Sequence, residues 1–210
     1  MTSRTSASVI KYGLTASADV AMTSHTIDDA GYVSMTVATP WGNVDVNVPA
    51  PGVHMASNAL AALAIAGVCG VSMEDAARGL ESARLSPMRM ETHVTARGSK
   101  VVADCYNANP ASVAAALRTL AEMRATRRVA ILGVMAELAD TKVEHERIAA
   151  LAGELGVEVF AVGTDLYGAP VIEIDAAVKM LDELGADAVA LVKGSRVARL
   201  ERVVSGLSLR

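Results

Sequence analysis

Aromatic side chains are nearly missing from this chain: one Trp, one Phe and four Tyr make up 3% of its 210 residues. A core without rings has to be filled by Ala, Val and Leu, which supply most of the 52% hydrophobic content. Small residues of that kind suit helices laid closely on a parallel sheet. Cysteine is also scarce. Cys69 and Cys105 have no metal-binding spacing, which leaves a reduced compartment as the default. No long apolar run is present either: Ala59 to Val71 is interrupted by two glycines and is too short to span a bilayer. With no charged-then-apolar leader, the expectation is a soluble, cytoplasmic protein without a membrane span. A net charge of −4, with acids and bases interspersed, excludes a nucleic-acid footprint. The G-x-x-x-x-G-K-[ST] loop that cradles nucleotide phosphates is absent as well.

What is present concentrates in Val101 to Leu120, VVADCYNANPASVAAALRTL. Val101 and Val102 read as the end of a buried strand and Asp104 to Asn109 as the loop after it. Pro110 reads as the first position of a helix that carries Val113, Leu117 and Leu120 on one side. The loop holds an acceptor in Asp104, two amides in Asn107 and Asn109, and a flat face with a hydroxyl tip in Tyr106. Asn109 alone is explained as a helix N-cap before Pro110. The whole set is not, because capping requires neither Tyr106 nor Asp104. Cys105, within the same loop, reads as a small side chain filling space beside the strand rather than as a nucleophile.

The rest of the chain divides near residue 85. Met1 to Ser8 is rich in Ser and Thr and is expected to fray. VAMTSHTI, YVSMTVAT and NVDVNV alternate in polarity and are separated by DDAG and TPWG, which predicts an antiparallel meander. Such a sheet needs a partner layer, and the helix at Ala56 to Val68 is the candidate. Ser72 to Ala83 reads as a helix capped by Ser72. Beyond the Pro-containing joint Leu85 to Met90, a strand in METHVTAR turns at Gly98 and Ser99 into the strand before Asp104. Further strands are expected at Arg128–Leu132, Val157–Val162 and Ala188–Val192, with helices at Ala111–Met123, Lys142–Leu155 and Ile174–Leu184. This alternation predicts an α/β fold: a C-terminal doubly wound, mostly parallel Rossmann-like sheet over residues 86–210, preceded by a smaller α+β piece over residues 1–85. Asp104–Asn109, Gly133–Leu138, Gly163–Asp165 and Lys193–Arg196 should then share one rim. Lys193 to Arg196 should end a strand and open a helix, offering two cations and backbone N–H groups to an anion.

Four collinear segments carry a resemblance: GVHMASNALAALAIA at Gly52–Ala66, DCYNANPASVAAAL from Asp104, GVMAEL at Gly133–Leu138 and LVKGSR at Leu191–Arg196. Together they resemble the Mur ligases, in particular the branch that adds D-alanyl-D-alanine to UDP-N-acetylmuramoyl-tripeptide in peptidoglycan synthesis. YNANP and KGSR disfavour the folylpolyglutamate-type branch. The resemblance covers essentially all of this chain but only the back half or so of such an enzyme. It implies that residues 1–85 are the tail of an ATP-binding central domain and residues 86–210 a complete C-terminal domain.

The resemblance further implies ATP and Mg²⁺ as cofactors of the full-length enzyme, with no metal ligands in this part. D-alanyl-D-alanine and the UDP-muramoyl-tripeptide are the implied small-molecule substrates, and the chain is expected to be a monomer unless an exposed sheet edge pairs copies. By the same resemblance, His54, Asn58, Arg89 and Asp104 address the nucleotide; Lys193, Asn107 and Asn109 are the catalytic candidates; and Tyr106, Glu137, His145, Ser195 and Arg196 line the substrate face. On its own, a helix-surface His such as His145 is more often structural, Arg89 alone an ordinary exposed Arg, and KGSR alone a basic strand-to-helix turn. Three positions depart from the family pattern: Met55 stands for an Asn, Ala103 for an Asp and Val134 for an acid. These departures keep open a second reading, a non-catalytic ligand-binding module or degenerate homologue.

Overall fold

The computed structural model describes residues 6–210, and its contacts divide the chain into two compact units, residues 1–84 and 85–210. The first five of the residues expected to fray lie outside the described residues.

The first unit is a four-stranded sheet in the order β1(Tyr12–Gly13), β2(Val20–Ile27), β3(Tyr32–Thr39) and β4(Gly42–Pro51). β2, β3 and β4 form the expected antiparallel meander. β1, only two residues long and parallel to β2, has no signal in the alternation of the sequence. Inward-facing Val33, Met35, Val37, Val46 and Val48 meet Ala56, Leu60 and Leu63 of α1(Val53–Val68) in one buried cluster. Completely burying each of those leucines is worth roughly 1.5–3 kcal/mol. α1 begins three residues earlier than its apolar periodicity suggests, because Gly52, at φ 104°, turns the chain directly into it. α2(Met73–Glu81) starts as read, with the Ser72 side chain accepting the Asp75 N–H at 3.1 Å.

The second unit is a five-stranded sheet. In chain order its elements are β5(Glu91–Val94), β6(Lys100–Ala103), α3(Pro110–Glu122), β7(Arg127–Leu132), α4(Thr141–Glu154), β8(Glu158–Ala161), α5(Ile174–Glu183), β9(Ala188–Lys193) and α6(Glu201–Gly206). The spatial order is β5-β6-β9-β7-β8, with every pairing parallel except β5 with β6. Val101, Val129, Ile131, Ala190 and Val192 share a buried cluster with Leu181, Leu200 and Val203 of the α5–α6 side. The alternate residues Val102, Ala130, Leu132, Val189 and Leu191 are equally buried and point the other way through the pleat. This two-sided burial is why these strands read as continuous apolar runs rather than as alternation. None of the helices among the described residues is long and apolar enough to cross a membrane.

Candidate functional site

Because β6, β9, β7 and β8 run parallel, the loops after them leave from one edge of the sheet. Backbone bonds carry the pairing past the strands: Asp104 N–H donates to Val192 O, Gly133 N–H to Lys193 O and Ser195 N–H to Val134 O, each at 2.9 Å. At this crossing the strand ends approach too closely for side chains. A Cβ on Gly194 would lie 3.0 Å from Gly133 Cα, and one on Gly133 only 2.6 Å from Ala198 Cβ.

Lys193 corrects the expectation of an outward-facing cation. Its side chain is 2% exposed, and its ammonium donates to Asp104 Oδ2 at 2.5 Å, Asn107 O at 3.1 Å and Asp104 O at 3.4 Å. These three bonds use all the donors an ammonium has. Asp104 is in turn committed on both oxygens, the second accepting Met90 N–H at 3.3 Å. Ser195 is likewise 3% exposed: its hydroxyl donates to Ala108 O at 3.1 Å and accepts Ala136 N–H at 2.9 Å, tying the loop after β6 to the loop after β7. The expected helix after Lys193 is also replaced, by a three-residue 3₁₀ turn at Arg196–Ala198. The Ser195 N–H that would have faced an anion is bonded to Val134 O.

The exposed part of the rim includes Tyr106, Asn107, Asn109, Glu137, Gly163, Asp165 and Arg196, together with Arg89 from the joint. Asn107 Oδ1 accepts the N–H of Ala108 at 2.8 Å, and its NH₂ has no protein partner among the described residues. Asn109 is the N-cap of α3, in a reciprocal box where its side chain accepts Ser112 N–H at 2.9 Å and Ser112 Oγ accepts Asn109 N–H at 3.1 Å. Glu137 sits at φ 62°, a left-handed conformation that costs a non-glycine residue of the order of 1 kcal/mol or more. The same conformation flanks Arg89, at Met88 (φ 62°) and Met90 (φ 52°). Hydrogen bonds from Tyr106 N–H to Met88 O at 3.2 Å and from Met88 N–H to Glu91 Oε2 at 3.1 Å hold that bend, with the Met90–Asp104 bond.

His145 was expected on a helix surface and is completely buried. Its Nε2 accepts Met135 N–H at 2.9 Å, and Nδ1–H donates to Thr141 O at 2.6 Å, which assigns the neutral ring with its proton on Nδ1. This places it behind the loop after β7 and off the exposed rim. Tyr167, which no sequence pattern singles out, packs edge-on against it with centroids 4.7 Å apart and donates its hydroxyl to Gly133 O at 2.9 Å. Burial pushes the Tyr167 phenol above its usual range. In a chain with four tyrosines, one in the loop after β8 was the available clue.

Cys105 is buried at the base of the rim, and its thiol is pushed up to about 11, chiefly by desolvation and then by Glu201. Cys69 is exposed. At pH 8 the folded chain is therefore expected to show one thiol reactive toward Ellman's reagent and a second only after unfolding in urea. Two fast thiols in the folded chain would contradict the packing of the loop.

In the first unit, His54 and Asn58 both lie within α1, one turn apart. Asn58 is exposed, its amide donating to Met55 Sδ at 3.5 Å. Met55 is half-buried against the core of that unit, so the position that departs from the family pattern packs rather than presenting a polar group.

Residues 88–196, more than half of the chain, match the Mur ligase, glutamate ligase domain, and residues 1–66 match the Mur ligase middle domain. The chain belongs to the Mur ligase family. Among curated Mur ligases it is 37% identical over 175 residues to the UDP-N-acetylmuramoyl-tripeptide–D-alanyl-D-alanine ligase of Treponema pallidum, a match over 75% of this chain and 38% of that protein. Among solved Mur ligases it resembles MurF from Acinetobacter baumannii, with a TM-score of 0.81 and 29% identity over 95% of this chain and 46% of the other. MurF from Thermotoga maritima, solved in complex with ADP, shares the fold with a TM-score of 0.79 at 20% identity, over 94% of this chain and 47% of that one. The chain thus spans less than half the length of each of these relatives.

Proposed function

We propose that this chain is the acceptor-side part of an ATP-dependent peptidoglycan-precursor ligase that joins D-alanyl-D-alanine to UDP-N-acetylmuramoyl-tripeptide. One observation carries the reading: three of the four family segments meet at the carboxyl edge of one parallel sheet, joined by the Lys193–Asp104, Ser195–Ala108 and Ser195–Ala136 bonds. In such a ligase the tripeptide carboxylate takes the γ-phosphoryl group of ATP to become an acyl phosphate. The amine of D-alanyl-D-alanine then attacks the acyl carbon, and phosphate leaves.

The work left to the protein is positioning and charge stabilisation. Arg89 and Arg196 are the exposed cations for phosphate or carboxylate oxygens, and the NH₂ of Asn107 is a donor at the rim without another partner. Lys193, Ser195 and His145 act from behind, holding the loops that carry them. Asn58 offers an exposed amide in the first unit for the nucleotide. The described residues contain no group of three or more His, Cys, Asp or Glu able to hold a metal ion. In phosphoryl-transfer sites Mg²⁺ is held by one or two carboxylates together with the substrate phosphates. Its ligands, like the phosphate loop, are assigned to the part of the ligase that this chain does not match.

The half-buried Val134 and Met55 support the second reading, a non-catalytic binding module, because each replaces a polar family residue with an apolar one. Fusion of the upstream half of the Treponema relative ahead of residue 1 separates the two. The ligase reading expects D-alanyl-D-alanine-dependent phosphate release from the fusion and none from the chain alone. A folded fusion that binds dipeptide without turnover supports the module. Ligation by the chain alone would contradict both.

A further inference from the structure

Buried side chains from three different elements converge on the short stretch that follows β7. Tyr167, from the loop after β8, donates to Gly133 O; His145 of α4 accepts Met135 N–H; and Ser195, from the loop after β9, accepts Ala136 N–H, each at 2.9 Å. The residue these tethers lead to is Glu137, exposed and at φ 62°. Glycine takes that conformation without strain, so a turn alone gains nothing from a Glu. Strain of this kind persists only where the surroundings over-determine the backbone, which the tethers do. The carboxylate itself has no partner among the described residues. Arg196 follows Ser195 as Glu137 follows Ala136, so the Ser195–Ala136 bond sets opposite charges one residue beyond each of its ends. They form no ion pair, and the Arg196 guanidinium lies instead over the ring of Tyr106, 5.5 Å from its centroid.

We propose that Glu137 is the specificity-determining residue for the amino end of the acceptor. Its carboxylate receives an ammonium, so the rim takes peptides with a free amino terminus and rejects N-acylated ones. An alanine dipeptide is a zwitterion at neutral pH, because an α-amino group titrates near pH ~8. Arg196 and the Asn107 amide can answer its carboxylate; the ammonium needs a fixed anion. Asp104 is unsuited, being neutralised by Lys193. Glu137 is both unpaired and held by a rigid backbone, which lowers the cost of forming a charge-assisted hydrogen bond. The inference deepens the ligase reading and rests on it for the identity of the peptide.

The test is calorimetric titration of the chain at pH 7 with D-alanyl-D-alanine, its N-acetyl derivative and L-alanyl-L-alanine. The parent is expected to prefer the free D,D dipeptide to the acetylated one by at least about tenfold. Glu137→Gln abolishes that preference by weakening the free dipeptide alone, because the substitution and the acetylation remove the same contact. Asp165→Asn, at another exposed carboxylate of the rim, keeps it. Glu137→Gly also loses the preference, yet unfolds at no lower temperature than the parent; a Glu kept only for structure gives the opposite result. Dipeptide binding with an undiminished preference in Glu137→Gln overturns the inference and leaves the ligase reading standing. Glu137-dependent binding of L-alanyl-L-alanine as tight as that of the D,D form sinks the ligase reading and leaves the ammonium site standing. A folded parent that binds neither free dipeptide overturns both.

Discussion

Lys193→Met lowers the unfolding free energy by about 3–5 kcal/mol, the cost of leaving one member of a buried ion pair alone. The side chain of Asp104 is 15% exposed and that of Lys193 2%, so water cannot replace the lost partner at little cost. The substitution also strips donors from two loop carbonyls, Asp104 O and Asn107 O. Removing the second charge as well, in Lys193→Met with Asp104→Leu, is expected to recover part of the loss, because two apolar groups leave no charge unpaired. Urea denaturation followed by far-UV circular dichroism measures both variants against the parent. A loss below about 1 kcal/mol for Lys193→Met would show that the ammonium is not the anchor of the loop after β6.

His145→Ala is the second large effect, about 3–4 kcal/mol. It leaves a cavity against Tyr167 and strands Met135 N–H inside the protein. Because Met135 opens the turn into Ala136 and Glu137, the loss is expected to be accompanied by faster amide exchange at Ala136, whose N–H is held by Ser195. An unchanged denaturation midpoint would mean that the loop after β7 is held by Tyr167 and Ser195 without the imidazole.

Both effects concern residues whose importance was legible but whose orientation was not. The strands and helices of the second unit followed from apolar runs and caps, and Asn109 before Pro110 announced α3 to the residue. A common rim followed from parallel topology alone. Which rim residues face outward did not, because burial is decided by partners distant in sequence: Lys193 meets Asp104, Ser195 meets Ala108, and His145 meets Met135. A charged residue in KGSR reads as a ligand contact until the carboxylate that neutralises it is placed. The left-handed backbone at Met88, Met90 and Glu137 was invisible for a related reason, since long-range hydrogen bonds impose it on residues with no preference for it. In the first unit, two-residue β1 is too short for any periodicity to report.

The central claim is that the exposed edge of this sheet receives D-alanyl-D-alanine. Isothermal titration of the 210-residue chain with that dipeptide tests it most directly. The account predicts saturable binding to the parent chain and at least tenfold weaker binding to Asn107→Ala, an exposed substitution that leaves the Lys193–Asp104 anchor intact. Dipeptide binding that is indifferent to Asn107, or no binding by a chain with the parent's cooperative unfolding transition, would contradict it.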